Sequence, residues 1–151
     1  MNIILERTDS VPWFTNMRTV FQALGLRASN YDWFVSDIET NYDGTDFSSD
    51  DRWISGEKLE QFINEHEVQF ISAVFSALPK GTRFPVETSP SAQDYAGYWS
   101  GIEVAPQLKG ALFEIAAWDS SATILVGLPA EVVERFQRAY PDAKSLVSAA
   151  R

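Results

Sequence analysis

The stretch Leu112 to Val126, LFEIAAWDSSATILV, constrains this chain more than any other. Two apolar runs, Leu112 to Trp118 and Ala122 to Val126, are separated only by Asp119-Ser120-Ser121, a polar triplet of the kind that turns a hairpin. A strand with one wet face alternates apolar and polar residues. Here only Glu114 and Thr123 interrupt the apolar pattern, so both strands are expected to be buried on two faces near a sheet centre. Other elements must then cover them.

Periodicity names the cover. Trp13, Met17, Val20, Phe21 and Leu24 recur at helical spacing, with Asp9 and Ser10 offered as caps, Pro12 near the first turn and Gly25 as the stop. A second helix is expected from the cap Ser55 to about His66, with Leu59, Phe62 and Ile63 as its stripe. A third follows Gly127-Leu128-Pro129, burying Val132, Val133, Phe136, Ala139 and Tyr140, with Glu131–Arg135 and Glu134–Arg138 as surface pairs until Pro141 breaks it. Further strands are expected at Asn2 to Leu5 (an edge), Tyr31 to Ile38 and Val68 to Leu78. In the second of these, Tyr31, Trp33 and Val35 face one way and Asp32, Phe34 and Ser36 the other.

From Pro79 to Gly110 the chain is punctuated by Pro and Gly. Loops are expected there, with one short strand near Arg83 to Val86 and an exposed aromatic knot at Tyr95, Tyr98 and Trp99. The tail Lys144 to Arg151 fits a strand or a frayed helix equally. The element order implies a single α+β domain over residues 1–151: a mostly antiparallel central sheet with two to three helices packed on one side.

Composition removes several functions. With 45% hydrophobic residues the chain is too apolar for disorder. The absence of Cys removes thiol catalysis, cysteine-ligated metals and disulfides, and fits a reducing cytoplasm. MNIILERTDS lacks the basic start and long apolar centre of a secretion signal, and no apolar window is long enough to span a membrane. There is one histidine, His66, at a predicted helix C-terminus, so a nucleophile–histidine pair is disfavoured, and no nucleophile elbow, P-loop or dinucleotide fingerprint occurs. With no companion motif beside its abundant acids, the chain is expected not to be an enzyme.

The net charge of −9 is concentrated. Eleven acids lie between Asp32 and Glu67 against only Arg52 and Lys58, while the rest of the chain holds ten acids and ten bases. Such a surface disfavours nucleic acid and anionic membranes and favours a basic protein partner. In the acidic segment Glu39 to Asp51, Gly44 is the residue that can stand at the glycine position of a calcium loop. Glu39, Asn41 and Asp43 then occupy the first ligand positions and Asp50 the last. The fit is poor, because the first should be Asp, the last Glu, and Asp46 stands where an aliphatic residue belongs, so neither metal nor cofactor is expected.

Aromatics border the acids: Tyr42 and Phe47 inside the segment, Trp53 at its end, and Tyr98 with Trp99 in the second loop region. Amphipathic aromatics among acids suit the capture of a basic protein, so the candidate partner-binding set is Glu39, Tyr42, Asp43, Asp46, Phe47, Asp50, Asp51, Trp53, Tyr98 and Trp99. The competing reading is that Trp53 staples the following helix and Trp99 plugs the core.

WISGEKL at Trp53 to Leu59, FSALPKG at Phe75 to Gly81 and the DSS hairpin with its terminal helix resemble a small family of uncharacterised bacterial domains. Size, acidity, lack of catalytic signature and the α+β plan are also similar in type to the cytoplasmic immunity proteins with which bacteria neutralise toxins. That resemblance implies a cytoplasmic, non-enzymatic binder of a cognate, basic toxin domain, with no interface residue carried over. The alternative is a small-molecule or metal-binding domain, or a modest enzyme, with a pocket near Tyr95 to Trp99; a third reading is a scaffold whose acidity serves solubility. The toxin-binding reading requires the acids to form one exposed patch not tied up by the protein's own bases.

Overall fold

Seven strands and three helices form along residues 1–151 of the computed structural model: β1 (Ile3–Glu6), α1 (Met17–Leu24), β2 (Tyr31–Thr40), β3 (Arg52–Ser55), α2 (Gly56–Glu65), β4 (Phe70–Pro79), β5 (Phe113–Trp118), β6 (Ala122–Val126), α3 (Ala130–Ala139) and β7 (Lys144–Ser145). All strands pair antiparallel in one sheet of order β3-β2-β4-β5-β6-β1-β7, so the fold is α+β. The hairpin forms as its composition demands. Trp118 faces Ala122 across the turn, and β5 and β6 are buried along both faces save for the half-buried Trp118.

The sheet's alternation sorts its side chains into two cores. Trp33, Val35, Phe75, Ile115 and Leu125 face all three helices, where Met17, Phe21, Leu59, Phe62, Val133 and Phe136 meet them. Edge-to-face rings organise this layer: Trp33 lies 5.5 Å from Phe21 and 5.8 Å from Phe113, and its indole N–H donates to Ala28 O at 2.9 Å. Thr123, one of the two polar interruptions in the hairpin, is on this side and shares a 2.7 Å hydrogen bond with Thr15. The opposite face holds Val74, Ala116, Ile124 and Val126 and has no α-helix on it; the largely irregular chain between β4 and β5, with a 3₁₀ turn at Ala96–Trp99, and the C-terminal 3₁₀ turn Leu146–Ala149 lie across it instead.

Several local expectations shift. The first helix starts at Met17, capped by the Asn16 side chain, which accepts from Arg18 N at 3.0 Å; Trp13 lies before it, and Thr8 and Ser10 turn to Asp142. Asn wins because its oxygen reaches the second helical N–H directly, while Pro12 and the chain after it stay irregular. Gly25 is the left-handed C-cap (φ 68°). β1 is not an edge strand, since the tail returns as β7 beside it and then forms a 3₁₀ turn, and Arg151 closes on the buried Glu6 at 2.7 Å. The guanidinium of Arg151 holds the Glu6 carboxyl below its usual range. No strand forms at Arg83 to Val86. In α3, Ala139 is exposed and Arg135 donates to Leu24 O at 2.9 Å rather than pairing with Glu131.

Ser55 caps α2 as expected, accepting from Lys58 N at 3.3 Å, and the next residue, Gly56, is pressed against the carbonyls of Tyr31 and Ala28. A methyl group there would overlap both oxygens. Gly56→Ala is therefore expected to destabilise the fold by about 3 kcal/mol, the upper range for overpacking against backbone, measured by urea denaturation. An unchanged midpoint would mean that β3 and α2 are not docked as described.

Candidate functional site

The acidic segment after β2 is a fixed loop. At its start Asn41 N donates to Gln69 O at 3.2 Å and Asn41 Oδ1 accepts from Gln69 N at 2.9 Å. In its middle Phe47 stacks on Phe62 of α2 with ring centroids 4.3 Å apart. At its end Asp51 Oδ1 accepts from Asp37 N at 3.0 Å. The Tyr42 ring folds back over Gly44 to reach Asp46 with its hydroxyl. That bond pushes the Tyr42 hydroxyl up to about 12 and holds the Asp46 carboxyl below its usual range. His66 Nε2 stands 3.8 Å from the other oxygen of Asp46.

The eleven acids of this quarter separate into two groups. Asp32 is buried and accepts from Gly81 N at 2.8 Å and Arg83 at 3.4 Å. Glu57 pairs with Lys80, and Glu60 with Arg27 at 2.8 Å; each base lowers its partner's pKa. Asp37 Oδ2 gathers Ser91 Oγ, Ala92 N and Gln93 N at 3.1, 2.8 and 3.2 Å. The expectation of one unpaired patch is thus corrected, because three of its carboxylates are neutralised by the protein's own bases and a fourth anchors a loop. Among the candidates, Glu39, Asp43 and Asp50 are exposed and have no ion pair or side-chain hydrogen bond. Glu39 and Tyr42 line a hollow of about 630 Å³ beneath the loop. Nowhere do three acids or histidines gather closely enough to hold a metal ion.

Two expected contact residues are interior. Phe47 is 6% exposed and belongs to the helix-side core, so it holds the loop from within. Tyr98 is 1% exposed, and the anticipated exposed aromatic knot is the cover of the second core. Trp99 is half-buried, its ring 4.8 Å from Trp118 with the Arg151 guanidinium over it at 4.2 Å. Trp53 is half-buried against Phe34 and Phe84 and donates to Phe84 O at 3.2 Å. The sequence pattern misled here because an aromatic in a polar, Gly-rich stretch is equally suited to plugging a core from a loop.

The sequence reading missed a second hollow, about 600 Å³, between β3 and α2. Its lining brings Arg52 and Lys58, the two bases of the acidic quarter, together with Arg83 from beyond it, beside Asp46 and Glu65. It also passed over a buried polar cluster, although Glu114 was visible as an interruption of the hairpin. Glu114 is fully buried; Oε1 accepts from Tyr98 Oη at 3.1 Å and Oε2 from Gln107 N at 3.1 Å, while Gln107 Nε2 reaches Tyr98 Oη at 2.8 Å. Tyr95 and the orphaned hydroxyl of Ser76 complete its surroundings, and no cation faces it. Burial pushes the Glu114 carboxyl up to about 7 and the Tyr98 hydroxyl upward too. Sealed from solvent, this group is placed to hold the 90–111 segment on the sheet, not to meet a substrate.

No protein-family model, curated protein or solved structure matches the chain. No helix is long and apolar enough to cross a membrane.

The Glu114 environment sets a pH dependence. Below pH about 4.5 the carboxyl is neutral both folded and unfolded, so its fit is fully retained; as pH rises through about 7 the unfolded chain ionises first and that stability is lost. Glu6, Glu57 and Glu60 act in the opposite direction, so the informative quantity is the difference between wild type and Glu114→Gln. Between pH 4 and pH 8 the wild type is expected to lose about 3 kcal/mol relative to that variant in denaturant titrations. Parallel pH profiles would contradict the buried, unpaired carboxyl.

Proposed function

We propose that this protein is a non-enzymatic binder of the immunity type, which neutralises a cognate toxin domain by laying its acidic loop over a basic surface of that toxin. The observation that carries the reading is the part of the acidic patch left free once Asp32, Asp37, Glu57 and Glu60 are engaged internally: Glu39 at the end of β2 and Asp43 and Asp50 on the loop lack internal partners, while that loop is tied at Asn41, Phe47 and Asp51. Unpaired carboxylates steer a basic partner at long range, and a loop already held in place loses little conformational freedom on binding. The hollow under the loop, with Glu39 and Tyr42 on its walls, suits the stem and charged head of an inserted Lys or Arg. Trp53 and Trp99, each half-buried, contribute at most the rims of the surface. A pocket at Tyr95 to Trp99 draws no support, since Tyr98 occupies that space itself.

The protein encoded beside this one is the partner to test. The account expects a complex in size-exclusion chromatography, an association rate that falls steeply with added salt, and a loss of about tenfold in that rate for the variant combining Glu39→Gln, Asp43→Asn and Asp50→Asn, with unfolding unchanged. No complex, or a variant that associates as fast as wild type with the same salt dependence, would count against the reading.

A further inference from the structure

β3 is the last strand of the sheet on its side, and it pairs only with β2. The peptide groups of Arg52 to Ile54 on its outer edge enter no turn, loop or cap hydrogen bond, while Ser55 passes into the first turn of α2. Sheet edges of this kind are templates for another strand unless something covers them. Here nothing covers the edge, but it is recessed. All four residues of β3, those facing α2 and those facing the opposite side alike, line the same 600 Å³ hollow, so the wall of that hollow is the edge of the strand itself. Lys58 and Gln61 of α2 stand on one side and Arg83 on the other.

The charge in this groove is the reverse of its surroundings. Arg52 has no carboxylate partner, only Ser48 Oγ at 3.0 Å and the Phe47 ring at 4.5 Å; Lys58 is exposed and has no ion pair; Arg83 shares Asp32 at 3.4 Å. The two acids on the wall accept hydrogen bonds from neutral groups, Asp46 from the Tyr42 hydroxyl and Glu65 from Gln61 Nε2 at 3.0 Å. The lining carries three bases, Arg52, Lys58 and Arg83, against the two acids Asp46 and Glu65, and Lys58 and Arg83 flank one end: Ser55 caps the helix that carries Lys58, and Asp32, the partner of Arg83, pairs across the sheet with Ser55.

We propose that this groove receives an extended segment of a partner protein as an eighth strand beside β3, with a carboxylate side chain of that segment lying between Lys58 and Arg83. Outer N–H and C=O groups of β3 would supply the register, Trp53, Ile54 and Phe62 the apolar contact, and the bases the choice of an acidic segment over a basic one. A second copy of this chain fits less well, because two recessed edges cannot approach each other closely. The inference is independent of the acidic-loop reading, which concerns the neighbouring face and a basic partner.

The test is a titration of the isotope-labelled full chain, followed by backbone amide NMR, with a short capped peptide alternating valine and glutamate. The expected result is saturable shifts at residues 52–55 and 58, weakened about tenfold by Lys58→Glu with Arg52→Glu and abolished when the central valine of the peptide is proline, which lacks the donor a ladder needs. Trp53 fluorescence should follow the same curve. Equal binding of a valine–lysine peptide, shifts confined to the acidic loop, the same shifts with inorganic phosphate alone, concentration-dependent shifts at these amides without any peptide, or no saturable response would each overturn the proposal.

Discussion

The structure depends on the burial of β4, β5 and β6 from both sides. A sheet centre of this kind needs two covers, and three helices of eight to ten residues provide only one. The second cover is irregular chain, which brings peptide groups that no helix or strand satisfies, so buried and half-buried polar side chains must do it. Asp37, Ser36, Asn2 and Glu114 each serve this end: Ser36 donates to Pro90 O at 2.8 Å and Asn2 to Val104 O at 2.7 Å, beside the bonds of Asp37 and Glu114. Asp37 can serve because β2 is irregular there, with φ of 54° and a register shift between Ser36 and Glu39 that turns its carboxylate towards the covering chain.

This division of labour explains the charge distribution. An acid-rich quarter of the chain looks like a uniform negative field when only sequence is considered. In the fold it contains an anchor for the second cover in Asp37, a buried turn-holder in Asp32, helix-surface pairs in Glu57 and Glu60, and a residual exposed set on the loop. Among the candidate contact residues, only Glu39, Asp43 and Asp50 keep carboxylates free of internal partners. Because the loop also stacks its Phe47 on α2, its free carboxylates stand on a support continuous with the main core. The same packing leaves Arg52 and Lys58 beside the bare edge of β3, so opposite charges occupy adjacent faces.

What was legible in the sequence was local. The two-face burial of the hairpin followed from its lack of alternation, the alternation of Trp33 and Phe34 between two cores from their spacing, and the ends of α1 and α2 from Gly25 and Ser55. Interactions between distant residues left no such trace. Nothing beside Glu6 announces Arg151, nothing near Asp37 announces Ala92, and an aromatic such as Phe47 or Tyr98 carries no mark telling a binding anchor from a core plug. β3 escaped notice because its four residues, all half-buried, show neither the length nor the alternation of a strand. The exposed candidates Glu39, Asp43 and Asp50 could be named from composition, but their freedom from internal partners could not.

The central claim is that the acidic loop is held rigid by the body of the protein before any partner arrives. Backbone nitrogen relaxation on residues 42–50 of the free chain measures this directly. The account predicts order parameters of about 0.8, close to those of β2 and α2, whereas values below about 0.6 across Asp43 to Asp50 would contradict it.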